Sequence, residues 1–247
     1  MIKPSFDELW DSVAPAEEYF NPADISEFPE PARRYLRHAI AGGTSLASAV
    51  RLRMRGEIRL RGWNQFSAEE IIRWDRGMIW RATVRISGIS IRGGDSFLDG
   101  HGAMRWKLFG IVPIINASGL DVSRSAAGRT NVESIWLPSV LCGNRVSWTA
   151  SDLCHAHAHF NAHGETAEID YTIDESGRPK SVNMPRWGNP GGGDFRYENC
   201  GGFVDQESTF GGYTIPTRMR VGWYFGAEAF ESEGEFFRVV IDDAVFR

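Results

Sequence analysis

From Val50 to Arg61 the chain alternates with a period of two. Val50, Leu52, Met54, Ile58 and Leu60 are apolar, Gly56 holds the remaining even position, and every odd position is charged. Successive side chains of a strand point to opposite faces, so this segment has one dry face and one wet one. It is longer than the usual strand of about 5–6 residues, and Gly56 predicts a bend within it.

The same period returns along the chain. Met78, Trp80, Ala82, Val84 and Ile86 oppose Arg81, Thr83 and Arg85, and Met104, Trp106 and Leu108 oppose Arg105 and Lys107. Ala167, Ile169, Tyr171 and Ile173 oppose Glu168, Asp170 and Asp174; Met219, Val221, Trp223 and Phe225 share a face, as do Phe237, Val239 and Ile241. Turn signals at Asp99-Gly100 and Glu175-Ser176-Gly177 predict an antiparallel meander. With 9 Trp and 15 Phe, the dry faces predict an interior rich in large aromatics.

Three segments carry the helical period instead. Phe6, Leu9, Trp10 and Val13 form one, and a second runs from Pro31 to Ile40 with Tyr35, Leu36 and Ala39 on its apolar side. The third spans 122–140, where Val122, Ala126, Val132, Trp136 and Val140 fall on one arc and Pro138 ends or kinks it. Mainly β architecture with a few helices follows: a single curved antiparallel sheet, a half-barrel, wrapped around a helix. Residues 1–45 are expected to be a helical segment packing on the sheet. Residues 46–247 are expected to form the β domain, with the helix around 122–140 inserted in it.

Arg129 and Glu133 stand at i and i+4 near the centre of that apolar arc. Burying a charge is costly unless it is paired and hydrogen-bonded. The pair therefore either fastens the helix to the sheet or meets the polar end of a ligand in a cavity. Asp95 and Asp99-Gly100 offer further carboxylates to chemistry, although Asp-Gly between apolar runs is first a turn signal. Trp80, Trp106 and Trp223, on the dry sides of separate strands, are either core or the wall of such a cavity.

Other constellations are weaker. His155, His157 and His159 share a strand face, with His163 in phase if the strand stays regular, but ligands in line suit a tetrahedral metal poorly. A solvated face is the expectation. Cys142, Cys154 and Cys200 show no metal spacing and no nucleophilic partner, and no cofactor is expected. The arginines at 51, 53, 55, 59 and 61 form a stripe, with Glu168, Asp170 and Asp174 as suitable partners on neighbouring strands. Gly191-Gly192-Gly193 lacks the strand-then-helix setting of a phosphate cradle.

A net charge of −5 gives no support for nucleic acid as a partner. No run approaches a membrane span of about 18 apolar residues. The N-terminal residues carry acids where a signal peptide would be apolar, so a cytoplasmic protein is expected, with its oligomeric state open.

Several segments together resemble a bacterial domain family to which no function is assigned. They are Pro31-Ala-Arg-Arg-Tyr-Leu-Arg-His38, Arg51 to Leu60, Trp80-Arg-Ala-Thr-Val-Arg85, Asp95-Ser-Phe-Leu-Asp-Gly-His-Gly102, Phe109-Gly-Ile-Val-Pro113, Gly128-Arg-Thr-Asn-Val-Glu-Ser-Ile-Trp-Leu-Pro138, Gly211-Gly-Tyr-Thr-Ile-Pro-Thr217 and Val221-Gly-Trp223. Arg129, Glu133 and Trp136 match its most recognisable motif. Such proteins are similar in shape to the periplasmic lipoprotein carriers of the LolA/LolB type, whose curved sheet closes over helices around a hydrophobic cavity. The resulting expectation is a protein that binds a small lipophilic molecule between sheet and helix, with Arg129, Glu133, Trp136, Trp80, Trp106 and Trp223 about it. An isomerase, cyclase or hydrolase using Glu133 as general base is the alternative, and a scaffold without a small-molecule site is another.

Overall fold

The computed structural model describes residues 5–247, so the first four residues of the expected 1–45 segment lie outside it. Two meanders build one sheet. The first comprises β1 (Ala49–Arg59), β2 (Trp63–Arg73), β3 (Gly77–Ile86), β4 (Ile89–Leu98), β5 (His101–Leu108) and β6 (Val112–Ser118). The second comprises β7 (Ser147–Ala150), β8 (His155–Ala162), β9 (Glu165–Ile173), β10 (Pro179–Gly188), β11 (Arg196–Phe210), β12 (Tyr213–Trp223) and β13 (Glu235–Phe246). They join where β1 pairs with β13, in a 13-stranded antiparallel order β6-β5-β4-β3-β2-β1-β13-β12-β11-β10-β9-β8-β7. Open sheets of more than about 10 strands curl, and this one forms the curved half-barrel that the alternation predicts.

Sequence order then dictates what fills the concavity. β6 and β7 are consecutive in the chain yet occupy opposite edges of the sheet, so the segment between them must cross the inner face. It does so as α3 (Leu120–Val132), a 3-10 turn at Glu133–Trp136 and another at Pro138–Leu141. The single helix expected over 122–140 is thus shorter and broken. Leu137, which precedes Pro138, leaves helical geometry at φ −135°, ψ 63°, as steric conflict with the proline ring requires. At Gly102 of β5, a Cβ would lie 2.6 Å from the Ser123 Cα; its absence lets α3 rest directly on the strand, fastened by the Gly102 N–H donating to Ser123 Oγ at 2.8 Å.

The two N-terminal helices take opposite faces. α1 (Phe6–Asp11) begins with a Ser5–Glu8 capping box and buries Phe6, Leu9 and Trp10 on the convex side against Ala49, Ile71 and Leu98. α2 (Glu30–Ala39) lies inside, where Tyr35 stacks on Tyr171 with centroids 4.7 Å apart.

Several local expectations change. The irregularity in β1 falls between Arg53 and Met54, opposite an extra residue of β13, Asp242. Gly56 serves close approach instead, since a Cβ there would lie 1.9 Å from the Arg238 carbonyl oxygen. Leu60 falls in the β1–β2 turn and is exposed. Met104 is on the inner face but uncovered, because α3 shields only part of β5. Phe225 lies beyond the end of β12, after Tyr224 at φ 56°, and packs with Phe203 at 4.8 Å rather than joining Trp223. The arginine stripe pairs with Glu69, Asp242 and Asp243 and not with Glu168, Asp170 or Asp174, because β2 and β13 flank β1 while β9 lies far across the sheet.

Candidate functional site

Arg129 is the hub of the inner face. From the last turn of α3 its Nε donates to Glu133 Oε1 at 2.6 Å, its Nη1 to Asp95 Oδ2 at 3.2 Å, and its Nη2 to Glu70 Oε1 at 2.8 Å. The guanidinium carbon also stands 5.2 Å from the Trp80 ring centroid, within cation–π range. Asp95 comes from β4, Glu70 from β2 and Trp80 from β3, so one side chain gathers three strands and the helix end. Trp106 completes the ring by donating its indole N–H to Asp95 Oδ1 at 3.3 Å.

Glu70 is absent from the expectations. The pattern that finds it is Phe66, Ala68, Glu70, Ile72, an inner-face series whose third member is an acid; its neighbour Glu69 points outward to Arg81. Asp95, marked by nothing local, reaches the cluster through the same alternation.

Three carboxylates thus surround one guanidinium. Glu70 has no exposed surface, and burial, reinforced by the Glu133 charge, pushes its carboxyl well above the usual range. Burial also raises Asp95, while Arg129 and the Trp106 N–H pull the other way. For Arg129, burial opposes the charge, but Glu133, Glu70 and Asp95 outweigh it and hold the guanidinium protonated. Glu70 Oε2, Glu133 Oε2 and Trp80 Nε1 are buried without hydrogen-bond partners.

Of the four tryptophans expected at the site, two meet there. Trp80 and Trp106 pack with centroids 5.7 Å apart, and Phe66 and Phe237 stand 5.9 and 6.2 Å from Trp80. Trp136 is buried with its N–H committed to the Pro216 carbonyl at 3.1 Å. Trp223 lies against Phe236 at 6.4 Å, under the guanidinium of Arg186. Three hollows stand out among the described residues, and neither the Arg129 cluster nor these tryptophans line them.

The histidine strand points its imidazoles sideways into local bonds. His155 meets Asp152 at 2.8 Å, His157 meets Asp170 at 2.6 Å and Ser151 at 3.0 Å, and His159 meets Thr149 at 3.3 Å. Among the described residues no group of three or more His, Cys, Asp or Glu is arranged to hold a metal ion. His163 is out of phase, because β8 ends at Ala162 and His163 occupies the turn at φ 59°. Asp99 and Gly100 form a tight turn at φ 51° and 84°. Cys142, Cys154 and Cys200 are free, and burial pushes the Cys142 thiol up to about 12. Among the described residues no helix is long and apolar enough to cross a membrane.

No curated protein matches the chain. Among solved structures it is similar to a LolA superfamily protein from Nitrosomonas europaea, with 8% identity and a TM-score of 0.44 over 88% of this chain and 92% of that one. It is also similar to a putative outer membrane lipoprotein-sorting protein domain from Vibrio parahaemolyticus, with 8% identity and a TM-score of 0.38 over 81% and 86%. The cytoplasmic location expected from the N-terminal residues is withdrawn on this finding, the second of these proteins being described as a putative outer membrane lipoprotein-sorting domain. The family of unknown function DUF6920 matches residues 26–246. The chain belongs to that family.

Proposed function

We propose that the protein binds a small lipophilic molecule whose polar end sits at the Arg129 cluster, against the rings of Trp80 and Trp106. The observation that supports this is the trio of buried, unpartnered polar atoms, Glu70 Oε2, Glu133 Oε2 and Trp80 Nε1. Leaving one such group unsatisfied costs about 1–3 kcal/mol, so three beside one guanidinium favour a guest that bonds to them. Carboxylates outnumber the guanidinium three to one. A hydroxyl head, which can donate to a carboxylate oxygen and accept from the Trp80 indole N–H, therefore suits the cluster.

Native mass spectrometry with solvent extraction tests the reading. The purified protein is expected to carry a lipophilic hydroxyl compound whose binding Glu133→Gln weakens while circular dichroism stays unchanged. Bare protein and an empty extract would overturn it. A second reading uses the same free Glu133 Oε2 as general base, with Arg129 stabilising developing negative charge, in an isomerase, cyclase or hydrolase. In that case Glu133→Gln abolishes turnover of the extracted compound while the compound still binds.

A further inference from the structure

The convex face of the first meander holds a row of cations and hydroxyls without a carboxylate among them. Arg55 pairs across the strands with Ser67, Ser67 with Thr83, Thr83 with Arg92, and Arg92 with Lys107. Like charges directly opposite one another repel, yet Arg92 faces Lys107. Of the three cations, only Arg55 reaches an acid among the described residues, Asp242 at 3.0 Å. A hollow of about 520 Å³ opens on this face, with Arg55, Ser67, Thr83 and Arg92 in its wall beside two carboxylates already held by arginines, Glu69 by Arg51 and Arg81 and Asp242 by Arg55. Arg92 and Lys107 are thus accessible cations with hydroxyl donors beside them, the complement of a phosphodiester.

The edge of the sheet next to the row is apolar. Phe109 and Ile111, in the β5–β6 turn, are 61% and 77% exposed, and Ile89 at the neighbouring β3–β4 turn is 42% exposed. Residues 100–120 include Arg105 and Lys107 and no acid, on a chain of net charge −5. Lys107 precedes Phe109 by two residues, about 7 Å along a strand. An apolar face entering a bilayer sits about 5–10 Å into the boundary between headgroups and acyl chains, so the cations come level with the phosphates when the turn is immersed.

We infer that this end of the sheet docks on an anionic lipid surface, Arg92 and Lys107 holding headgroup phosphates while Phe109 and Ile111 enter the acyl boundary. The charge of the row selects this occupant over a neutral partner. The docking is independent of the inner-face ligand, because none of these residues belongs to the Arg129 cluster.

Vesicle flotation of the full chain tests it. Phosphatidylcholine vesicles containing roughly a third phosphatidylglycerol are compared with pure phosphatidylcholine. The chain is expected to float with the anionic vesicles and to be released as salt rises. Arg92→Ala with Lys107→Ala is expected to weaken partitioning about thirtyfold, and Phe109→Ser with Ile111→Ser to abolish it, with melting temperatures unchanged. Equal flotation with both vesicles, no flotation, or salt-independent flotation overturns the inference without recourse to any variant. So does a melting shift with inorganic phosphate but no flotation, which marks a solute site. A dimer that Ile111→Ser dissociates, without flotation, marks a contact between copies and equally overturns it.

Discussion

Arg129 Nη2 donates to Glu70 Oε1 across 2.8 Å, joining residues 59 positions apart in the chain. The contact ties the end of α3 to the middle of β2, at a carboxyl with no exposed surface. Removing one partner of a buried ion pair costs about 3–5 kcal/mol, because the other is left uncompensated. Arg129→Met is therefore expected to lose about that much in urea denaturation. A loss below about 1 kcal/mol, the scale of a surface pair, would show that water already satisfies the cluster.

Glu70 itself titrates in the opposite sense from an ordinary paired acid. Burial comes first and the Glu133 charge second in raising its folded pKa. A raised folded value means that its contribution is fully present below the unfolded value and lost as pH rises through the folded one. The wild type is thus expected to lose stability on the alkaline side. Glu70→Gln keeps the Oε1 acceptor, does not ionise, and is expected to flatten the fall in melting temperature as pH rises above the ordinary carboxyl value of about 4.3.

His163 gives a second pH dependence, of the other sign. Its ring stands 5.1 Å from Trp74 and 5.5 Å from Phe97, and burial pushes its pKa down to about 4, with Asp75 opposing. The unfolded imidazole takes its proton first, near pH 6.5, so stability is present above that value and lost as pH falls toward 4. The loss amounts to roughly 3 kcal/mol. His163→Asn tolerates the positive φ and is expected to narrow the gap between urea midpoints at about pH 7 and pH 4.

Gly102 tests how α3 is seated. A Val side chain there collides with the Ser123 backbone, and overpacking of this kind costs about 1–3 kcal/mol. Gly102→Val is expected to lower stability by that amount and to speed hydrogen exchange in α3. Unchanged exchange would show that the helix is held by the Arg129 cluster alone.

Much of the fold is legible in residue alternation. The dry faces of β1, β3 and β9 contain Val50, Leu52, Met54, Trp80, Val84, Ile169 and Tyr171, all buried. Alternation says which face a residue takes but not which strand lies beside it. The partners of the arginine stripe follow from β13, the last strand, lying next to β1, and nothing local encodes that. The candidate site was half visible for the same reason. Arg129 and Glu133 are neighbours along a helix, whereas Glu70 and Asp95 arrive through strand pairing. Glu70 sits where Phe66, Ala68 and Ile72 announce an oily face, and an acid in that series is the mark of a buried partner elsewhere.

The hydrogen-bonded seam between β1 and β13 is the sheet's one bridge between its two meanders, and the α3 segment is their covalent connection, running from edge to edge. The molecule is in this respect a bracelet with one hinge and one clasp. Cutting the clasp between residues 119 and 143 leaves each piece with its own hydrogen-bonded strands and a single exposed edge made for the other. Two such pieces, produced separately, are natural complements, and in an uncut chain the same logic allows one copy's half to close on another's.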